Sequence, residues 1–276
     1  MVITAAQVND LRAKTGAGMM DCKKALVEAN GDVQEAIDIL RKKGQKVAAK
    51  RGDNEAKEGL TIAKTFNNGK SAVILALNCE TDFVAKNESY YKLVDSFVDL
   101  AAKTRPASVE AFMNEKYDGS LTVADKITEQ IGVIGEKLEL SQLSILDAEA
   151  VVAYNHPGNQ IATLVALSKS GDVAVDAGKQ VAMQVAAMAP IALNKDGVDA
   201  DTIRREVEIG KELAIQEGKP ADMAEKIAQG RLQKFFKEST LLSQEFIRDN
   251  KKSVEQFLND TLPGLTVTDF RRVSLK

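Results

Sequence analysis

The stretch SAVILALNCETDFVAKN, Ser71–Asn87, decides how this chain is read. It opens with an apolar run of strand length and ends in a segment of helical spacing. Corners between strand and helix are ordinarily polar, because their backbone needs water or caps. Here Phe83 stands in the corner, directly after Glu80, Thr81 and Asp82. A bulky ring in such a place is either a plug for the core or a probe presented to something else.

Upstream, LTIAKTF, the turn NNGK and SAVILALN form a β-hairpin, marked by period-two patterning and the Asn-Gly turn. Downstream, a helix carries Tyr91, Val94, Phe97, Val98 and Ala101 on one face. Further helical text around 108–133 leads to a strand, LELSQLSIL. The pattern then repeats. AVILALN (Ala72–Asn78) aligns with ATLVALS (Ala162–Ser168), each preceded by a glycine turn and followed by a helix. TVADKITEQIGVIGEKLELSQLSIL likewise echoes SVEQFLNDTLPGLTVTDFRRVSL. Two segments agreeing in the same order imply a duplication, although apolar runs also resemble one another by chance.

The first forty residues read as three short helices. Thr4 caps the first, with Val8 and Leu11 inward, and the TGAG tract breaks it. The second runs from about Asp21, buries Cys22, Ala25 and Leu26, and stops at Asn30-Gly31. Asp32 caps the third, with Val33, Ala36, Ile37 and Leu40 at helical spacing. Its glycine turn and GDVQEAIDIL helix resemble a ubiquitin-associated domain. The basic stretch 41–58 reads as a partly helical linker, either a solvated tether or a contact for RNA. In the second half, 199–217 and 221–238 are helical and joined by EGKP. Ile203, Val207, Gly210 and Ala214 face Ala224, Ile227, Ala228 and Leu232, a narrow seam that suits two antiparallel helices projecting from the body. The expected fold class is therefore α+β. A three-helix domain (1–44) and a linker (45–58) precede two duplicated α+β subdomains (59–147 and 148–276) with small antiparallel sheets. An antiparallel helical coiled-coil arm interrupts the second at about 190–238.

The composition is that of an ordinary globular protein: 276 residues, 44% apolar, 28% charged, formal net charge −3. This balance gives no global field for DNA or an anionic membrane. MVITAAQVND lacks the regions of a secretory signal, no apolar run reaches the ~20 residues of a membrane span, and Cys22 and Cys79 stand alone. A cytoplasmic location is expected.

Chemistry is hard to find. The sequence has no phosphate-loop, dinucleotide-binding or hydrolase-elbow motif. His156, in the turn YNHPGN, is the only histidine, so no paired-histidine metal site exists. Cys79, Asp82 and His156 can be drawn as nucleophile, orienter and base, but no local catalytic signature supports them. What stands out is a set of unusual positions. Met19 and Met20 follow a glycine turn, where one either plugs the small core or faces outward as an adaptable contact. Arg12 and Lys23 flank that edge as ordinary solvated charges or contacts. Ile134-Gly135 ends a helix.

Taken together, LRAKTGAGMMDCKKALVEANGD (Leu11–Asp32), NCETDFVAKN (Asn78–Asn87), IGEK (Ile134–Lys137) and GKPADMAEKIAQGRL (Gly218–Leu232) closely resemble the bacterial elongation factor Ts family over nearly the whole chain. Thr268-Asp269-Phe270 repeats the TDF tripeptide within a predicted strand, where Phe270 is expected in the core. The resemblance implies a guanine-nucleotide exchange factor for elongation factor Tu that needs no cofactor and binds no nucleotide itself. It implies that positions Arg12, Met19, Met20 and Lys23 grip the partner's GTPase domain. The corner Thr81, Asp82, Phe83 and Val84 enters near the nucleotide and Mg²⁺ site, with Ile134 and Gly135 beside it. His156 and the region of Phe246, Ile247 and Arg248 match contacts to another domain of the partner. A homodimer through the helical arm, within a larger complex, is a further partner expectation. Two departures stand beside these. Longer members continue into another helical module after the last strand, and Arg248 stands where some relatives carry an apolar residue, which leaves Ile247 the better contact. Two other readings predict different behaviour: a binding scaffold without nucleotide coupling, and an enzyme dependent on Cys79 or His156.

Overall fold

The computed structural model describes residues 3–119 and 121–275. At the N-terminus the helices are α1 (Ala5–Thr15), α2 (Met19–Glu28) and α3 (Val33–Arg51). Thr4 and Gln7 form a reciprocal capping box on α1, and Gly16, at φ 71°, closes it in the left-handed region. Asn30 and Gly31 both take positive φ between α2 and α3, and the Asp32 carboxylate accepts the Glu35 N–H at 2.8 Å. Val8, Leu11, Ala17, Cys22, Ala25, Leu26, Ala29 and Ala36 form the small core, and Val133 from a later helix packs against it. The second helix starts at Met19 rather than Asp21. The basic stretch 41–58 is helical in part, as expected: α3 continues to Arg51, and its Gly44 packs into a later helix.

The first subdomain is built on β1 (Glu58–Phe66) and β2 (Ser71–Cys79), joined through the left-handed Asn68, φ 54°. There follow α4 (Asp82–Ala85), α5 (Glu88–Thr104), α6 (Val109–Met113), β3 (Lys116–Asp118), β4 (Leu121–Thr122), α7 (Val123–Ile134) and β5 (Glu139–Asp147). The text around 108–133 therefore divides into two helices and a short β-ribbon. The sheet is antiparallel in the order β1-β2-β5. Helix α5 buries Leu93, Val94, Phe97, Val98 and Ala101 against it. The register expected from the sequence is one residue off at its first turn. Tyr90, 1% exposed, donates its hydroxyl to the Leu77 carbonyl at 2.8 Å, while Tyr91 is 42% exposed.

The second subdomain repeats this plan. Strands β6 (Ala150–Asn155) and β7 (Ile161–Leu167) are followed by α8 (Asp172–Met188), α9 (Ala200–Gln216) and α10 (Ala221–Ser239). Then come β8 (Glu245–Phe246), β9 (Asp249–Ser253), α11 (Val254–Thr261) and β10 (Val267–Ser274), in a sheet ordered β10-β7-β6. The two strands aligned as a repeat, β2 and β7, are the centres of the two sheets. Helices α7 and α11 both begin with capping boxes, Thr122 with Asp125 and Ser253 with Gln256, at corresponding points of the repeat. Ala63, Ala72, Ile74, Ala76, Leu146, Val151, Ala162, Leu164, Ala166 and Val273 form one buried cluster that joins the sheets. Alanines at that interface let the two β-layers approach closely.

Helices α9 and α10 run antiparallel, with Gly210, Ala214, Ala224, Ala228 and Leu232 buried between them. A methyl group on Gly210 would lie 3.1 Å from the Ala228 Cα, so the seam is tight. Ion pairs from Lys211 to Glu225 and from Arg231 to Glu217 border it. Among the described residues no helix is long and apolar enough to cross a membrane.

Candidate partner-binding surface

Strand β2 ends at Cys79, and the chain reverses into α4, a single helical turn. One turn of helix is not stable by itself; its placement is set by what holds the two residues before it. The Glu136 carboxylate does this from the connection between α7 and β5. Its Oε2 accepts the backbone N–H groups of Glu80 (3.1 Å) and Thr81 (3.0 Å), and its Oε1 accepts the Thr81 hydroxyl at 2.7 Å. Glu80 reaches back the other way. Its Oε1 accepts the Lys137 N–H at 2.6 Å, and its Oε2 accepts Arg51 Nη1 (2.8 Å) and Asn54 Nδ2 (3.0 Å). Burial disfavours the charged form of Glu80, but the Lys137 N–H, Asn54 and Arg51 together hold its carboxyl below the ordinary range. Lys137 Nζ also donates to the carbonyls of Gly52 and Asn54. The end of α3, the end of β2 and the start of β5 are thereby tied into one knot.

From this knot α4 projects. Ala85 is buried and Val84 packs partly against the core, while Phe83 turns the other way and is 82% exposed. Of the two readings of that ring, the structure selects the outward one. Asp82 Oδ2 accepts Lys86 Nζ at 2.6 Å, and that bond keeps the Asp82 carboxyl below its usual range. Ile134 packs on the first core, and Gly135, at φ 81°, caps α7. Both lie one or two residues before Glu136. Ile134, Gly135 and Thr81 stand out in the sequence as expected contacts, whereas Glu136, Glu80 and Arg51, which hold the corner, do not.

In the N-terminal domain Met19 and Met20 are both outward, at 49% and 64% exposed. They occupy the first turn of α2, which Lys43 of α3 fixes by pairing with Asp21 at 2.6 Å. Lys23 lies one turn beyond Met19 on the same face. Arg12 and Lys23 are exposed and make no ion pair among the described residues.

The second subdomain brings its predicted residues together. His156 and Ile247 line one open cleft with Tyr154, Met183 and Arg272. The Tyr154 hydroxyl lies 3.0 Å from His156 Nδ1, and the Ile247 N–H donates to Gln184 Oε1 at 2.9 Å. Arg248 is exposed. Phe246 is buried and stacks on Phe257, with centroids 4.0 Å apart, so it belongs to the core of this subdomain. Phe270 packs against the same core. The turn that follows β6 touches the first sheet. Gln160 Nε2 donates to Glu58 Oε2 at 3.0 Å, and Glu58 is the ladder partner of Cys79. The turn therefore runs along β1, from Ala63, which bonds the Asn155 side chain, to Glu58 beside Cys79.

Cys79, Asp82 and His156 do not come together as nucleophile, orienter and base: Asp82 pairs with Lys86 and His156 with Tyr154. Cys79 is buried and donates its S–H to the Thr81 carbonyl at 3.1 Å, and burial pushes its thiol up to about 11. Its proton goes to the corner's own backbone, and His156 bonds to Tyr154. The geometry is that of a corner tied to the core by hydrogen bonds and carrying one projecting ring.

Known proteins match this sequence along its length. A family model described as Elongation factor TS covers residues 80–276. Elongation factor Ts of Christiangramia forsetii is 53% identical over 273 residues, spanning 99% of this chain and 98% of the relative. Elongation factor Ts of Amoebophilus asiaticus is 51% identical over 275 residues, 99% of each chain. That of Porphyromonas gingivalis is 42% identical across 100% of this chain and 99% of its own. The chain belongs to the elongation factor Ts family.

Proposed function

We propose that this chain is a cytoplasmic guanine-nucleotide exchange factor for elongation factor Tu in translation elongation, releasing GDP so that GTP replaces it. Exchange of this kind requires no covalent chemistry and no direct contact of the factor with the nucleotide base. A GTPase holds its nucleotide through phosphate-loop amides and Mg²⁺. Phe83, with Thr81, Asp82 and Val84 around it and Ile134-Gly135 behind, enters the partner's GTPase domain beside that site. The pocket for the ring exists only when nearby elements of the partner have shifted, so burying the ring favours the nucleotide-poor state. The observation that carries this reading is Phe83 itself: a phenylalanine 82% exposed, on a corner otherwise locked to the core, in a chain of this family.

A buried aromatic anchor commonly supplies ~2–4 kcal/mol, and every ~1.4 kcal/mol of coupling weakens nucleotide tenfold. By reciprocity nucleotide weakens the factor equally, so GTP entry expels it. Affinity comes from elsewhere: Arg12, Met19, Met20 and Lys23 on the three-helix domain of ubiquitin-associated type, and His156 with Ile247 against another domain of the partner. The α9–α10 hairpin acts as a coiled-coil contact arm, and a homodimer formed through it belongs to the same proposal.

The test is release of fluorescent GDP from elongation factor Tu, with this protein and with its Phe83→Ala variant. Acceleration that the variant loses supports both function and wedge. Acceleration that the variant keeps overturns the mechanism. No acceleration at all overturns the exchange reading and leaves a binding scaffold.

A further inference from the structure

The corner that bears Phe83 lacks the usual means of fixing its own direction. Helix α4 is four residues long, and its N-cap residue, Thr81, makes no side-chain cap: its hydroxyl is donated to Glu136 instead. The ion pair of Asp82 is with Lys86, within the same exposed segment. The burial of Ala85 and the Cys79 S–H on the Thr81 carbonyl hold one side of the turn, and the direction of Phe83 is then set by the peptide planes at Glu80 and Thr81. Their two consecutive N–H groups converge on one oxygen, Glu136 Oε2, while the Thr81 hydroxyl takes the other. Hydrogen bonds to a carboxylate are roughly twice as strong as neutral ones, and three on one group fix both its rotamer and the backbone it grips. The reciprocal bond from the Lys137 N–H to Glu80 Oε1, at 2.6 Å, prevents the grip from sliding along β5.

We infer that Glu136, with Glu80 as its counterpart, is the positioning residue of the exchange corner: it touches neither partner nor nucleotide and acts by aiming Phe83. This rests on the exchange reading above and deepens it. A ring that delivers coupling by entering a transient pocket must be held before the encounter, because ordering it at the encounter subtracts from the coupling. Removing the carboxylate frees the corner without removing any surface that the partner touches. Affinity, set by the methionine face and the His156–Ile247 cleft, is then retained while acceleration falls.

Glu136→Ala is expected to lower the maximal acceleration of GDP release about tenfold while changing the concentration giving half-maximal effect less than about threefold. Glu136→Gln keeps the shape but removes the charge and one acceptor, and is expected to fall between wild type and alanine. The decisive comparison is with Phe83→Ala. If Glu136 acts through the ring, adding Glu136→Ala to Phe83→Ala lowers acceleration by less than about twofold further. Equal losses in both backgrounds overturn the inference, as does wild-type acceleration by Glu136→Ala. Should the alanine variant fail to fold, the same cycle is read on Glu136→Gln. Amide hydrogen exchange supplies a readout independent of activity. Faster exchange at Glu80 and Thr81 in the variant, with the rest of β2 unchanged, supports the latch even if the exchange function itself fails. Unchanged protection there overturns it.

Discussion

Gly44 of α3 and Gly132 of α7 meet backbone to backbone. A methyl group on Gly132 would lie 2.7 Å from the Gly44 Cα, and one on Gly44 would lie 2.7 Å from the Thr128 carbonyl oxygen. This crossing seats the N-terminal domain on the first subdomain, and the same α3 runs on to Arg51 and the Phe83 corner. Gly132→Ala gains ~1 kcal/mol of helix propensity but must move backbone, a strain of about 1–3 kcal/mol. We expect a net loss on the order of 1 kcal/mol in urea unfolding. Gly230→Ala in α10, where nothing lies within 4 Å of the added methyl, is expected to stabilise by about 0.5–1 kcal/mol. The same sign at both positions would contradict this account of the crossing.

The division of labour between gripping and wedging predicts opposite kinetic signatures. Replacing both Met19 and Met20 with alanine removes exposed apolar surface that the proposed function assigns to gripping, remote from the corner. The protein concentration giving half-maximal GDP release is expected to rise five- to thirtyfold, roughly 1–2 kcal/mol, with the plateau rate within about twofold of wild type. Phe83→Ala is expected to do the reverse, lowering the plateau at least about tenfold. Both variants should melt like wild type, because exposed side chains seldom shift stability by more than about 0.5 kcal/mol. Titration curves of release rate against protein concentration separate the two effects.

How much of this was legible in sequence depends on the range of the signal. The repeat was readable because β2 and β7 carry long apolar runs bounded by turns, and each makes the centre of its sheet. The caps Thr4 and Asp32 were readable because capping is local in sequence. Tyr90 and Tyr91 both fit a helical stripe in sequence, and the Leu77 carbonyl, 13 residues upstream, is what holds Tyr90 inward. Glu136 was missed for a stronger form of the same reason. Two of its three partners are backbone N–H groups 55 and 56 residues away, and backbone leaves no trace in residue type. The TDF tripeptide shows the converse. It occurs twice, and only the fold turns Phe83 outward and Phe270 toward the core.

Cys79 gives a pH prediction. Its thiol is raised in the folded protein by burial, from an ordinary value of 9.0 to about 11. The folded state therefore favours the neutral thiol. That contribution is fully present below pH 9 and is lost as pH climbs through about 11. The difference in unfolding free energy between wild type and Cys79→Ala should shrink between these limits and stay level from pH 6 to 8. The thiol should also resist alkylation at pH 8 until the protein is unfolded. Rapid labelling of the native protein would show that the β2 end opens on its own.

Gln184 predicts a stability loss coupled to the His156 cleft. Its side chain is fully buried, donating to Gln244 Oε1 (3.1 Å) and the Glu245 carbonyl (3.0 Å) while accepting the Ile247 N–H (2.9 Å). Gln244, also buried, donates in turn to the carbonyls of Glu238 and Met188. The pair joins α8, the foot of the helical arm and the β8–β9 ribbon. Gln184→Leu keeps the volume and removes the partner of the Ile247 N–H, of one Gln244 Oε1 lone pair and of the Glu245 carbonyl. An orphaned buried group costs about 1–3 kcal/mol, so unfolding free energy should fall by roughly that amount or more. Gln184→Glu retains an acceptor for Ile247 but sets a carboxylate against Gln244 Oε1, two acceptors facing each other. It should therefore be destabilised at pH 8 and recover as the carboxyl is protonated in mild acid. The leucine variant, which has nothing to titrate, should show no such recovery. Equal pH profiles for the two variants would mean that packing volume, rather than this hydrogen-bond network, holds Ile247 at the cleft.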